Sequence, residues 1–452
     1  MTAGVSSRTA IRRRLAFLDR PLTSLHLILV TTGLLTVIGL VMVLSASSVD
    51  SYAATGSAFD VFKKQLMWVA IGAPIFWLGI RLSPKAYRRL AYPALALSFV
   101  ALLAVLVPGV GNLVSGSRRW IELGPLQLQP SEPAKLALAL WGADLLVRKE
   151  KLLDQWRHLL IPIVPVAIAA CALVMLEPDL GTTICVVLVL FGLLWTVGAP
   201  GRLFVLLAST TIGAVVVLIM IEPYRMTRFT SFLNPFKDQS DKGYQAAEGL
   251  YSLSSGGWFG VGLGQSRFKW GLLPNAHTDY IFAIVGEELG LVGSLLVLAL
   301  FAVLAYAGLR IARRATDPFV RLASAAVTVW LVGQALINIG YVTGLLPVTG
   351  IPLPLISFGG TSLIVTLFAL GMLASFARHE PAAAAALRAR GPSRMARILW
   401  LPAPAEPRPK SARITRIRRP PERATGPAPR GRGSGRAGTV LPATGTDGRR
   451  TR

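Results

Sequence analysis

Charge and cysteine are both scarce in this sequence. Only 15% of its 452 residues are Asp, Glu, Lys or Arg, against roughly a quarter in an ordinary globular domain, which excludes a large water-soluble enzyme. The two cysteines, Cys171 and Cys185, both lie in apolar runs. They offer no disulfide framework and no metal spacing, and read as small hydrophobes. There are only four histidines and no HExxH or GxSxG, so zinc protease and serine hydrolase chemistry are disfavoured. The glycine-rich run SSGGWFGVGLG has neither GxGxxG after a strand nor GxxxxGK[ST], which argues against a nucleotide site. No internal repeat is visible.

Acids are outnumbered, 22 against 47 bases, for a net charge of +25. The excess has a place. From Arg378 onward there are 18 Lys or Arg and 4 acids, in a Pro-, Ala- and Gly-rich stretch too poor in apolar residues to build a core. Residues 378–452 therefore read as a disordered basic tail that meets anionic lipid headgroups, and residues 1–23 as a basic cytosolic N-terminus. Nothing supports nucleic acid as a partner.

What the chain has in abundance is apolar sequence: 53% hydrophobic residues and a mean hydropathy of +0.56. Several windows reach roughly 18 nearly uncharged residues, enough to cross a bilayer. The expected spans are 24–45, 62–80, 91–108, 131–147, 159–176, 180–198, 203–221, 281–309, 321–343 and 358–376. The expectation is an all-α polytopic membrane protein, a ten-helix bundle over 24–377 with a large extracellular loop, 222–280, between helices 7 and 8. Basic connections at 81–90, 147–158 and 310–318 and both termini fall on one side, which the positive-inside rule makes cytosolic.

Ionisable residues at the ends of membrane helices are costly and mark candidate sites. In LLPNAHTDYIFAIVGEELG (272–290), Asp279 opens an apolar helix. A 100° step puts Ala283, Gly286, Gly290 and Gly293 within about 40° of its face, a strip suited to close helix packing or to a lipid chain. The competing reading of Asp279 is a helix N-cap. Glu287 and Glu288 lie deeper and are expected to pair with polar groups of a neighbouring span. In QPSEPAK (129–135), Glu132 and Lys135 share a helix face as either a structural pair or an anion site. Arg118, Arg119 and Trp120 suit a phosphate and a sugar face, or an interfacial anchor. The Pro/Gly-rich LPVTGIPLPLISFGGTSL (346–363), with Ser357, Thr361 and Ser362, fits a cavity wall.

Six blocks in order then resemble one family. They are GLVMVLSAS, RRWIELGPLQLQPSEPAK, EPDLGT, the GYQ…GGWFGVGLGQS…K series, LPNAHTDYIFAIVGEELG and PLPLISFGGTSL. The chain resembles the SEDS (shape, elongation, division and sporulation) peptidoglycan polymerases from about Leu25 to Phe376. NAHTD is closer to the FtsW branch than to the RodA branch, and SpoVE is a further relative.

The resemblance implies a glycosyltransferase that polymerises lipid II into glycan at the outer face of the cytoplasmic membrane. Its setting would be septal wall synthesis in cell division. A RodA-like elongation polymerase and a lipid II flippase are the alternatives. The implied catalytic residue is Asp279, as base. The implied substrate-binding residues are Arg118, Trp120, Glu132, Lys135, Gln245, Lys269, His277 and Ser357. Arg118, Lys135 and Lys269 are the candidates for pyrophosphate charge. The implied substrates are lipid II and undecaprenyl-pyrophosphate-linked glycan. The implied partners are a class B penicillin-binding protein of the FtsI type and other division proteins. A Mg2+ or Mn2+ ion is a possible cofactor with its ligands unassigned. Gly271 stands where some relatives carry an acid.

Overall fold

The fold is described by a computed structural model covering residues 20–221, 243–391 and 394–404, without 115–116, 125 and 154, together with 226, 232 and 236. Residues 1–19, most of 222–242 and the chain from 405 onward lie outside the described residues, so the expectations for them stand as made.

The apolar runs become helices, in chain order α1 (Thr23–Thr55), α2 (Asp60–Arg81), α3 (Pro84–Leu106), α4 (Ser131–Arg148), a short α5 (Trp156–Leu160), α6 (Ile163–Leu176), α7 (Leu180–Val197), α8 (Gly201–Ile221), α9 (Tyr244–Ser255), α10 (Ile281–Arg314), α11 (Pro318–Val342), α12 (Gly360–Arg378), α13 (Pro381–Arg390) and α14 (Arg394–Ile398). Helices occupy all ten expected segments, and seven stretches are long and apolar enough to cross a membrane. The sequence sets their starts locally. Ser83 caps α3 through Ala86, with Pro84 in the first turn, and Asp179 caps α7 by accepting the Thr182 N–H at 2.9 Å. Such caps satisfy N–H groups that the helix leaves unpaired.

The bundle is sorted by burial. Most of α4 is enclosed by protein, which is why this helix carries Glu132, Lys135 and Asp144 while its neighbours are greasy. Asp144, fully buried, is paired with Arg88 and Arg148. Outward-facing Val30, Leu34, Val37 and Val41 on α1 remain exposed, as surfaces that meet lipid must. α2 and α12 approach at Gly79 and Gly371, where an added side chain would strike the facing backbone. Small residues let membrane helices pack this closely.

Between α3 and α4 stands a three-stranded antiparallel sheet, β1 (Gly111–Val114), β2 (Ser117–Leu123) and β3 (Leu126–Leu128). It is tied down from two directions. The Thr361 hydroxyl donates to the Gln127 carbonyl (2.9 Å) and accepts the Gln129 N–H (3.1 Å). Arg119 donates to the carbonyls of Glu177 (2.9 Å) and Pro178 (2.5 Å).

The structure differs from expectation in two places. The stretch 378–404, expected without structure, forms α13 and α14 and touches the bundle through Trp77, whose indole donates to the Leu399 carbonyl at 2.7 Å. The larger difference is in the long connection before α10. Helix α9 runs beside the first half of α10 in the same direction: the Gln245 amide meets the Pro274 carbonyl (3.0 Å), Gly249 faces Tyr280, and Leu253 faces Gly286. The chain turns at Gly256–Gly264 and returns to Pro274. Residues 244–274 thus form a re-entrant hairpin along α10, and α9 alone accounts for about 18 Å of it.

The turn is clipped into α10. At Gly290 the helix leaves helical geometry, with φ 67°, a conformation glycine adopts at little cost. Four backbone bonds join the two segments there. Leu291 and Val292 donate to Gly257 and Trp258 (2.9 and 3.1 Å), while the Glu287 and Glu288 carbonyls accept from Val261 and Gly262 (2.9 and 3.1 Å). Backbone groups released from the helix at the kink are thus taken up by the neighbouring segment.

Candidate functional site

Asp279 lies two residues before α10 and is half-buried. The N-cap position belongs to Tyr280, whose carbonyl accepts the Ala283 N–H. Helix α10 thus does not use the Asp279 carbonyl.

The turn that carries Asp279 is held by three successive carbonyls. His277 O accepts the Phe358 N–H (2.9 Å). Thr278 O accepts the Ser357 hydroxyl (2.6 Å), which itself accepts the Leu353 N–H (2.8 Å). Asp279 O accepts from Asn338 Nδ2 (3.0 Å) and from the Tyr341 hydroxyl (2.9 Å). The 349–359 loop supplies the wall in front: a Cβ at Gly350 would lie 3.6 Å from Asp279 Oδ2. The result is a half-buried carboxylate on a turn tied down at three successive carbonyls.

His277 packs edge-on against Phe358, ring centroids 5.8 Å apart, and its Nδ1 is buried with no hydrogen-bond partner. Burial lowers its pKa, opposed by the charge of Asp50, so the imidazole is neutral at physiological pH. Ser357 acts on the turn through hydrogen bonds. Gln245 holds the start of α9 to Pro274.

Glu132 and Lys135 pair at 2.8 Å, both buried. The ammonium also reaches Gln334 Oε1 (3.4 Å) and sits 5.0 Å from the centre of the Trp330 ring. The Gln334 amide then donates to the Pro352 carbonyl (2.9 Å), so the pair stands behind the loop that faces Asp279. Lys269 is drawn elsewhere. It lies on the return limb of the re-entrant hairpin, with its ammonium 3.7 Å from the Glu288 carboxylate and 2.6 Å from the Gly264 carbonyl. Arg118 and Trp120 alternate with Arg119 along β2 and are half-exposed. The structure therefore gathers His277, Ser357 and Asp279 at one turn, sets Glu132 and Lys135 behind it, and puts Lys269 with the deeper glutamates.

Those glutamates hold the hairpin. Glu287 accepts from Ser252 (3.0 Å), Ser266 (2.6 Å) and the Arg267 N–H (2.7 Å). Glu288 accepts from Ser45 of α1 at 2.6 Å. The small-residue strip below Asp279 is filled by protein, since Gly286 and Gly290 face Leu253 and the 258–260 backbone.

Sequence reading missed Asn338, Tyr341 and Gly350. Asn338 and Tyr341 carried a signal, being polar side chains three residues apart inside an otherwise apolar helix. Among the described residues no group of three or more His, Cys, Asp or Glu is arranged to hold a metal.

The class these features define is a polytopic membrane protein with a half-buried carboxylate, Asp279, on a turn tied to its helical bundle. The family model described as cell cycle protein, FtsW, RodA and SpoVE, matches residues 25–382, and the chain belongs to that family. It is 49% identical over 389 residues to the probable peptidoglycan glycosyltransferase FtsW of Mycobacterium tuberculosis, covering 86% of this chain and 74% of the relative. It is 39% identical over 354 residues to the stage V sporulation protein E of Bacillus subtilis, covering 78% and 97%.

Two solved structures share the fold. One chain comes from a study of how a peptidoglycan synthase complex coordinates polymerisation and crosslinking (TM-score 0.66, 28% identity, 78% of this chain and 97% of that one). The other is the rod shape determining protein RodA of Thermus thermophilus (TM-score 0.59, 27% identity, 78% and 96%).

Proposed function

We propose that this protein is a peptidoglycan glycosyltransferase of the FtsW type, with Asp279 as its general base. The observation that carries the assignment is the mount of that residue: a half-exposed carboxylate whose backbone is fixed by three captured carbonyls. A base must be within hydrogen-bond reach of its proton and held there.

The reaction begins when the GlcNAc 4-hydroxyl of an acceptor lipid II is placed against Asp279. The carboxylate takes the hydroxyl proton as the oxygen attacks the anomeric carbon of the undecaprenyl-pyrophosphate-linked chain. The new C–O bond forms as the bond to pyrophosphate oxygen breaks, and undecaprenyl pyrophosphate leaves with the electron pair. Attack from the opposite face inverts the anomeric configuration.

Of the three cations weighed for the pyrophosphate, Lys135 and Lys269 each face a buried glutamate. Arg118 is the one that is half-exposed and has no buried carboxylate paired with it among the described residues, and we assign it that role. The exposed apolar surfaces and the positive-inside pattern support ten spans with both termini cytosolic and the Asp279 turn outside. The likeness to a chain of a peptidoglycan synthase complex supports a class B penicillin-binding protein as partner, with the division septum as the setting.

The test is glycan synthesis from lipid II by the purified full-length protein, alone and with its transpeptidase. Asp279→Asn is expected to lower the rate by at least about 100-fold, the lower end of the range for loss of a general base, with the melting temperature unchanged. Polymerisation by this variant at the wild-type rate would overturn the assignment.

A further inference from the structure

The last of the three captured carbonyls is held more heavily than the others. Asn338 Nδ2 lies 3.0 Å from Asp279 O and 2.7 Å from Ile351 O. The Tyr341 hydroxyl lies 2.9 Å from Asp279 O and 2.8 Å from Ile351 O. The two side chains touch each other at 2.6 Å. They come from one face of α11, three residues apart, and together bind one carbonyl of the Asp279 turn to one carbonyl of the loop in front of it.

We propose that Asn338 and Tyr341 are positioning residues for the glycosyl transfer, fixing the Asp279 carboxylate by way of its own peptide and of Gly350. The proposal rests on the reading of Asp279 as the base.

First, the Asp279 carbonyl lies outside the hydrogen-bond ladder of α10, so the helix does not orient this peptide. On its carbonyl side the peptide is held by the α11 pair, and on its N–H side Tyr280 donates to the Asn275 carbonyl (3.3 Å); the α11 pair thus helps set the direction of the Cα–Cβ bond and the reach of the carboxylate.

Second, the same pair holds Ile351, the neighbour of Gly350. Gly350 has φ 71° and leaves open the space in which a Cβ would stand 3.6 Å from Asp279 Oδ2. One clamp thus sets both the carboxylate and the wall it faces.

Third, Asn338 is 0% and Tyr341 2% exposed. Polar groups that deep inside an apolar helix are expensive unless hydrogen-bonded. The Asn338 amide has two protons for the two oxygens and the Tyr341 hydroxyl one proton for either, a redundancy that fixes position more tightly than one bond would.

Reaction rates are sensitive to such placement, and an error of about 1 Å can cost on the order of 100-fold. Tyr341→Phe is the mildest probe, since it removes one hydroxyl and keeps the ring that packs 5.8 Å from Tyr280. Asn338→Leu removes the amide at similar volume.

In glycan synthesis by the full-length protein, each variant is expected to lower kcat about tenfold or more with KM for lipid II little changed. The Tyr341→Phe melting temperature should stay within a few degrees of wild type. The double variant should lose less than the product of the two single losses, because both act on the same carbonyl. Wild-type kcat in Tyr341→Phe would overturn the proposal, as would a fall in kcat that only tracks the folded fraction. If Asn338→Leu does not fold, Tyr341→Phe alone decides. Asp279→Asn measured alongside separates the two ideas: activity in that variant removes the base assignment, whereas its inactivity beside a fully active Tyr341→Phe removes the clamp alone.

Discussion

The Lys135 ammonium stands 2.8 Å from the Glu132 carboxylate, and neither side chain reaches water. A buried ion pair is poor evidence of net stabilisation, but removing one partner strands a charge in a low-dielectric interior.

Lys135→Ala is therefore expected to cost about 3–5 kcal/mol and to loosen the 349–357 loop through Gln334. Replacing both members, Lys135→Met with Glu132→Leu, should restore most of the melting temperature. Thermal unfolding of the purified variants checks this. A double variant as unstable as the single would show that the pair is worth more than an apolar plug.

The clip between the re-entrant hairpin and α10 depends on two glycines. Gly260 has φ 80° and Gly290 φ 67°, and a Cβ on either would collide with the backbone of the other segment. Gly260→Ala and Gly290→Ala are each expected to destabilise by about 1–3 kcal/mol. Because both break the same contact, the double variant should fall short of the sum. Melting temperatures of the three variants provide the measurement.

Glu177, between α6 and α7, gives a pH signature. It is fully buried, and both carboxylate oxygens lack a hydrogen-bond partner. Burial first, and then the charge of Asp179, push its pKa up to about 8, with Arg119 pulling the other way. The folded state thus holds the proton more tightly than the unfolded chain, whose carboxyl titrates near 4.5. The stability this group allows is complete below that value and is lost as pH rises through about 8. Glu177→Gln should melt close to wild type at pH 5 and above it at pH 8.5. Parallel melting curves at both pH values would remove the effect.

Legibility in the sequence followed the physics of each element. Asp279 stood out because a carboxylate at the head of a greasy helix is conspicuous in composition alone. Glu287 and Glu288 were expected to pair with a neighbouring span, and Ser45 of α1 is such a partner. Lys269 was weighed as a pyrophosphate contact because sequence placed it in an outer loop. The fold brings it to Glu288 through a hairpin whose depth no periodicity records. That hairpin was hidden for a specific reason: 281–309 reads as one uninterrupted apolar helix, and the break at Gly290 is visible only when the 257–262 backbone lies against it. The Asn338–Tyr341 clamp was equally hidden, since its acceptors are main-chain carbonyls, on which side-chain identity is silent.

The hydrogen bonds at Gly290 also fix an order of events during biosynthesis. Residues 244–274 leave the ribosome before α10 does, yet four backbone hydrogen bonds of their turn are made with α10. The hairpin is therefore left waiting until the downstream helix is in the bilayer, and the Asp279 turn waits longer still, for α11 and the loop that follows. A chain arrested before α11 therefore carries Asp279 without the Asn338 and Tyr341 side chains that hold its carbonyl.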